Sequence, residues 1–244
     1  MATAANATDN LAGPSWYPAF KEAADMALAV VLLVLTGPLI LGLMALVRLT
    51  SEGTGLYAQV RLGRDGRRYM IYKIRTMSHN CEAKSGPQWS TTGDPRITAL
   101  GRWLRKTHLD ELPQLWNVLR GDMSLVGPRP ERPEFVQQLE QVIPNYRTRL
   151  AVRPGITGLA QVQLPPDEDF AGVSRKVACD AVYVELMGPW LDLRIVVGTA
   201  MKIAGAPFEV TRRLLALPGV SLPSPAAEES VDAEEEAVAR LQTA

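Results

Sequence analysis

The sequence predicts a helix-rich α+β fold, a single domain with a short β-hairpin set behind an N-terminal membrane helix. Three observations carry that expectation. Met26 to Val47 runs 22 residues without a charge. Two short β-like stretches flank Asp65-Gly66. Much of the remainder repeats apolar residues at three- and four-residue spacing, the period of a helix with one buried face.

In chain order, residues 1–13 are small and polar and read as a mobile N-terminus. Pro14 to Ala24 sets Trp16, Tyr17 and Phe20 beside Lys21, a composition suited to the headgroup zone where aromatic rings gather. The uncharged run follows. At about 1.5 Å per residue it makes roughly 33 Å of helix, enough to cross a bilayer's hydrocarbon. It is too long for the apolar part of a signal peptide, and a buried soluble helix of that length would carry a polar edge. Gly37-Pro38 stands at its centre. Proline lacks an amide hydrogen and pushes against the carbonyl four residues back, here Val34. Unpaired backbone is costly in hydrocarbon, so the pair implies a kinked spanning helix or a re-entrant break. The flanking charges, Lys21, Glu22 and Asp25 before and Arg48 and Glu52 after, leave both open.

Leu56–Val60 and Arg68–Arg75 read as strands joined across Asp65-Gly66. Along the second, Lys73 and Arg75 alternate with Tyr72, Ile74 and Thr76 and are expected on one face. Ser78 to Asp94 is polar and turn-rich, a loop. Ile97 to Arg105 has helical spacing through Leu100, Trp103 and Leu104. The clearest helix carries Leu112, Leu115, Trp116 and Leu119 and stops at Gly121. With Asp110 as its cap, Pro113 falls in the first turn, where proline is tolerated; Thr107 as cap would put Pro113 deeper. Glu134–Ile143, Ser174–Met187 and Leu191–Ile203 are further helices, and Arg153-Pro-Gly-Ile-Thr-Gly158 reads as a turn. Beyond Gly205 the chain grows rich in Pro, Ala and Glu, and Leu222 to Ala244 is expected to be largely disordered.

Charge is balanced overall, 26 basic against 26 acidic residues, but unevenly spread. From Arg48 to Arg153 there are 18 Lys/Arg against 10 Asp/Glu. The acidic tail, Glu228 to Glu236, offsets part of that excess. A basic block suits nucleic acid, anionic headgroups or a phosphorylated small substrate, and charge alone does not choose. Cys81 and Cys179 lack paired spacing, and with only His79 and His108 to join them no zinc site is expected.

The chemistry concentrates between Thr107 and Pro130. Asp110 and Glu111 can be explained as helix-terminal carboxylates that complement the dipole. They can also hold a Mg²⁺ that bridges diphosphate oxygens. Arg129, between Pro128 and Pro130, offers a guanidinium on a stiffened loop, and its fork matches phosphate. Lys73, Arg75, Arg105 and Arg153 supply further cations.

Together these segments resemble the bacterial sugar transferases, the monotopic polyprenol-phosphate phosphoglycosyl transferases, in their small minimal form. The resemblance rests on Lys73-Ile-Arg-Thr-Met77, Asp94-Pro-Arg-Ile-Thr98, Gly101-Arg-Trp-Leu-Arg105, Leu109-Asp-Glu-Leu-Pro-Gln-Leu115, Asn117-Val-Leu-Arg-Gly-Asp-Met-Ser124, Val126-Gly-Pro-Arg-Pro130 and Arg153-Pro-Gly-Ile-Thr-Gly158, in that order. Asp180, Tyr183, Asp192 and Thr199 fit the family's later helices. It implies a transferase of the undecaprenyl-phosphate sugar phosphotransferase type, starting bacterial glycoconjugate or exopolysaccharide synthesis. Asp110 would attack the sugar-linked phosphate of a nucleotide diphosphate sugar, a UDP-sugar by family analogy, and polyprenol phosphate would then take the phosphosugar from the enzyme. Glu111 would assist, Asp110 and Glu111 would hold Mg²⁺, and Lys73, Arg75, Arg105, Arg129 and Arg153 would bind substrate. The resemblance further implies a re-entrant helix broken at Gly37-Pro38, contact with the lipid bilayer at the cytoplasmic face of the plasma membrane, and no nucleic acid. The divisions expected are residues 1–13, a membrane element at 14–47, a cytosolic catalytic domain at 48–205 and an extension at 206–244. A homo-oligomer is compatible with the sequence, which carries no signal for or against one. Two other readings compete: a glycosyltransferase that moves only the sugar and releases UDP, and a non-catalytic membrane scaffold.

Overall fold

The structure, a computed structural model, describes residues 14–83, 86, 88, 90, 91, 93–165 and 170–219. The expected mobile N-terminus and the acidic tail lie outside the described residues. The first element is a single helix, α1 (Tyr17–Thr50), long and apolar enough to cross a membrane by length and composition. The chain does not leave the helix at Gly37-Pro38. Thr36 Oγ1 donates to the Leu32 carbonyl at 2.7 Å within this stretch. Its middle is bare, with Val34, Leu35 and Leu41 about 70% exposed.

Its two ends are not bare. Near the start, Tyr17 is buried and its hydroxyl donates to Asp192, which Lys21 also engages. Asp25 accepts from Ser124 Oγ. Near the far end, Leu43 and Val47 pack with Ile74 and Leu104. Between them, Ala29 joins Leu115 and Val118 in one apolar cluster.

Strands β1 (Leu56–Leu62) and β2 (Arg68–Ile74) form the expected antiparallel hairpin, with Leu56 opposite Ile74 and Leu62 opposite Arg68. Asp65, at φ 58°, and Gly66, at φ 73°, make the turn, as small polar and glycine residues can. The outer edge of β2 is closed by one side chain. Asn117 Nδ2 donates to the Met70 carbonyl at 2.7 Å, and its Oδ1 accepts from Tyr72 N–H at 3.1 Å. A buried amide thus stands in for a third strand.

Helix α2 (Ala99–Thr107) begins at Thr98, whose hydroxyl accepts from Gly101 N–H. A Cβ at Gly101 would lie 2.0 Å from the Thr76 carbonyl, so only glycine lets this helix sit against the strand exit. Helix α3 (Gln114–Leu119) follows, and Gly121 at φ 76° ends it as expected. Leu104, Leu115 and Val118 are buried, whereas Trp103 and Trp116, read from spacing as part of the apolar face, are about half exposed.

The segment read as a turn at Arg153–Gly158 is instead a strand. β3 (Ser124–Val126) pairs in parallel with β4 (Gly155–Thr157). A Cβ on Gly155 would lie 2.1 Å from the Gly127 nitrogen, so the two glycines permit the crossing. Parallel pairing between remote segments leaves no local signature in three residues. Helices α4 (Pro133–Val142), α5 (Leu159–Gln163), α6 (Phe170–Leu186) and α7 (Pro189–Ile203) complete the domain. The largest core cluster joins Val126, Leu159, Tyr183, Leu191 and Ile195. A last helix, α8 (Phe208–Leu214), lies within the region the sequence assigns to the extension, and Leu217 just after it is buried in that cluster.

Candidate active site

Asp110 and Glu111 do not cap a helix. α2 ends at His108, which takes a left-handed conformation at φ 55° and turns the chain. Leu109–Glu111 then forms one 3-10 turn, closed by Glu111 N–H to the His108 carbonyl and Leu112 N–H to the Leu109 carbonyl. Pro113 occupies the cap position of α3, with no side-chain hydrogen bond. Thr107 closes back on Trp103 and Leu104 and starts nothing. Leu112, in the turn, keeps nearly helical phase with α3, which is why spacing reads the two as one helix.

The turn sets both carboxylates against the exit of β2. Lys73 Nζ donates to Glu111 Oε1 at 2.7 Å, and Arg129 Nη2 reaches the same oxygen at 3.1 Å. Glu111 is 8% exposed. Burial works to raise its pKa, but Lys73 and Arg129 outweigh that and hold the carboxyl well below its ordinary range. Burial pulls the Lys73 ammonium down, and the Glu111 charge pushes the Arg129 guanidinium up.

Asp110 differs. It is 7% exposed, yet among the described residues no hydrogen bond or ion pair engages its carboxylate. Burial and the neighbouring Glu111 charge push it up to about 6, against the fields of Lys73, Arg105 and Arg129. Two adjacent acids therefore have opposite electrostatics: Glu111 takes the cations and Asp110 is left unengaged.

Of the sequence-derived cations, the structure brings Lys73 and Arg129 directly to Glu111. Arg105 acts on Asp110 through its field only, while its guanidinium donates to Thr76 Oγ1 at 2.9 Å and Ser90 Oγ at 2.8 Å. Arg75 parts from Lys73. β2 ends at Ile74, so strand alternation no longer holds at residue 75, and Arg75 donates to the carbonyl and hydroxyl of Ser51 at the end of α1. Arg153 is likewise elsewhere, donating to Glu22 of α1 at 2.7 Å.

Two contributors escaped the sequence reading. Asn117 fixes β2 to α3 and so sets Lys73 against the acidic turn, but an asparagine inside an apolar helix gives no sign of its partners. Lys202 on α7 adds a positive field at Arg129 and Glu111 while its Nζ donates to the Gln161 carbonyl at 2.8 Å. Its position in a lone apolar helix looks like a solvated end.

The donor set suits a hard divalent cation. Both Asp110 oxygens and the second Glu111 oxygen carry no protein donor among the described residues. Mg²⁺ typically takes only one or two carboxylates and completes its shell with water and substrate phosphate. No group of three or more His, Cys, Asp or Glu that could hold a metal occurs among the described residues. Both cysteines are free.

A family model described as bacterial sugar transferase matches residues 16–206. The chain is 42% identical over 187 residues to the UDP-N-acetylgalactosamine-undecaprenyl-phosphate N-acetylgalactosaminephosphotransferase of Aeromonas hydrophila, covering 77% of this chain and 44% of that protein. It is 41% identical over 183 residues to the UDP-glucose:undecaprenyl-phosphate glucose-1-phosphate transferase of Caulobacter vibrioides, covering 73% of this chain and 67% of that protein. Against the exopolysaccharide production protein PSS of Rhizobium leguminosarum bv. phaseoli, identity is 37% over 186 residues, covering 74% of this chain and 93% of that one. The chain thus spans less than half of the Aeromonas relative and most of the Rhizobium one.

Proposed function

The chain belongs to the bacterial sugar transferase family, and from that premise we propose that it moves a sugar-1-phosphate from a nucleotide diphosphate sugar to polyprenol phosphate. The observation that carries the mechanism is the division of labour between the two acids. Glu111 collects Lys73 and Arg129, leaving Asp110 buried, unpartnered and within the fields of three cations. A carboxylate in that position is free to act as a nucleophile, and splitting one hard displacement between two anions into two steps is what a nucleophile provides.

In the first step an Asp110 oxygen bonds to the sugar-linked phosphorus. The bond from that phosphorus to the nucleoside monophosphate breaks, and the leaving group keeps the electron pair. In the second step a phosphate oxygen of polyprenol phosphate attacks the same phosphorus. The aspartyl oxygen–phosphorus bond breaks and the carboxylate is restored. Arg129, 41% exposed at its side chain, turns one nitrogen to Glu111 and has others to offer the transferred phosphate. Lys73 holds Glu111 in place and adds positive charge where negative charge builds. Asp110 and Glu111 are the residues that would hold Mg²⁺, which when bound supplies charge neutralisation on diphosphate oxygens. We take the donor to be a UDP-sugar, a reading supported by the names of the Aeromonas and Caulobacter relatives.

For α1 we infer a re-entrant placement at the cytoplasmic membrane face. Its support is that Tyr17, Lys21 and Asp25 near one end and Leu43 and Val47 near the other contact the same domain.

The experiment that decides the chemistry is incubation with a donor labelled in the sugar-linked phosphate. Wild type is expected to form a labelled adduct and release UMP. Asp110→Asn is expected to do neither while staying folded and membrane-bound; near-normal UMP release by that variant would sink the mechanism, and UDP release would favour transfer of the sugar alone. For α1, a cysteine placed near residue 14 should resist impermeant thiol reagents added outside intact cells, and labelling there would mean a spanning helix.

A further inference from the structure

The loop carrying Arg129 reads Gly127-Pro-Arg-Pro130, so residues 128–130 own a single amide N–H. It cannot be held by its own donors as a strand or helix is. Its carbonyls are held instead, one after another, from three other places. Pro128 O accepts from Gly155 N–H at 2.8 Å, Arg129 O from Arg149 Nη2 at 2.9 Å, and Pro130 O from Arg61 Nη1 at 3.3 Å.

Arg149 is the unusual member. It follows α4 in the 3-10 turn Tyr146–Leu150 and is 5% exposed. Its Nη1 donates to the Tyr146 hydroxyl at 3.0 Å, and its guanidinium carbon lies 5.3 Å from the centre of that ring. Nη2 forms an ion pair at 2.7 Å with Asp180 of α6, which is 1% exposed. A pair this deep is a poor way to stabilise a fold, because apolar side chains of similar volume often do as well or better. Apolar side chains cannot donate to the Arg129 carbonyl. The fork of an arginine, anchored on a carboxylate and a phenol, can do so in a fixed direction.

We propose that Arg149, braced by Asp180, is a positioning residue: it fixes the backbone of Arg129 and thereby the reach of that guanidinium toward Glu111 and a bound diphosphate. This rests on the reading of the site as one of phosphoglycosyl transfer. Neither Arg149 nor Asp180 touches the reacting atoms. Their effect passes through one carbonyl, so it vanishes when the Arg129 side chain is absent.

That last consequence is the test, a double-mutant cycle in the full-length protein in membranes. One arm is Arg129→Ala. The other is the paired change Arg149→Met with Asp180→Leu, which leaves no buried charge without a partner. The combination completes the cycle. Turnover of the nucleotide sugar gives KM and kcat, and calorimetry with inorganic diphosphate gives an affinity independent of turnover. The paired change is expected to leave the melting temperature nearly unchanged, raise KM and weaken diphosphate binding at least about tenfold, the size of one charge-assisted hydrogen bond. It should add nothing to Arg129→Ala. Losses that multiply, or a paired variant that binds diphosphate normally, would overturn the proposal. If the paired variant does not fold, Arg149→Lys is read by the same criteria, since a lysine keeps the charge beside Asp180 but not the fork. If wild type turns over no nucleotide sugar, the functional reading fails, while the diphosphate arm still decides the role of Arg149.

Discussion

The turn bearing Asp110 and Glu111 and the loop bearing Arg129 meet at one carboxylate oxygen, yet they are held in opposite ways. The turn is tied by neighbours: His108, Leu109, Glu111 and Leu112 close it through their own backbone. The loop is tied by strangers, with Gly155, Arg149 and Arg61 each holding one carbonyl. The difference teaches where each part of the site is vulnerable. The turn's chemistry lies in its side chains, whereas the loop's depends on residues that take no part in it.

The distinction can be sharpened first through pH. Asp110, pushed up to about 6 from an ordinary 3.8, must be ionised to attack. At limiting Mg²⁺ the acid limb of kcat/KM for UMP release is expected near pH 6, with about a tenfold loss for each further unit, and added Mg²⁺ should move it lower by favouring the ionised carboxylate. A limb near pH 4 would show that the turn leaves Asp110 unperturbed. Asn117→Leu comes next. It leaves the Tyr72 N–H and Met70 carbonyl unpaired and should cost about 2–4 kcal/mol, read as a lower melting temperature in detergent. Lost stability with an unchanged KM would mean that the turn keeps its place against Lys73 without this remote tie, and the contrast with the loop would be complete. The smallest effect is on stability at Asp110 itself. A folded-state pKa above the unfolded value means that ionisation costs the native state. That penalty is absent below about pH 4, develops toward pH 6 and is full above it. Without Mg²⁺, Asp110→Asn should therefore be more stable than wild type by about 1–3 kcal/mol at pH 8 and no more stable at pH 4, measured as paired melting curves in chelator. Equal stability at both pH values would remove the cost of burying this charge.

What the sequence could show follows the same line. The hairpin, α2 and α4 were legible because periodicity and turn residues act over a few positions. The parallel pairing of β3 with β4 was not, since three residues and two glycines look like any loop. Arg75 was credited to the site by strand alternation and Arg153 by the family resemblance, and only tertiary packing sends them to Ser51 and Glu22. The Asp110 cap failed for a subtler reason: a left-handed His108 is invisible in a pattern that keeps nearly helical phase.

The way α1 is seated has a practical consequence. Excising it to obtain a water-soluble domain would strip Lys21 and Tyr17 from Asp192, leave Ser124 without Asp25, and uncover Ile74, Leu104, Leu115 and Val118. Ser124 begins the strand that runs directly into the Arg129 loop. The apolar helix is thus built into the domain at both ends, and a truncated form would be a different molecule rather than the same protein made shorter.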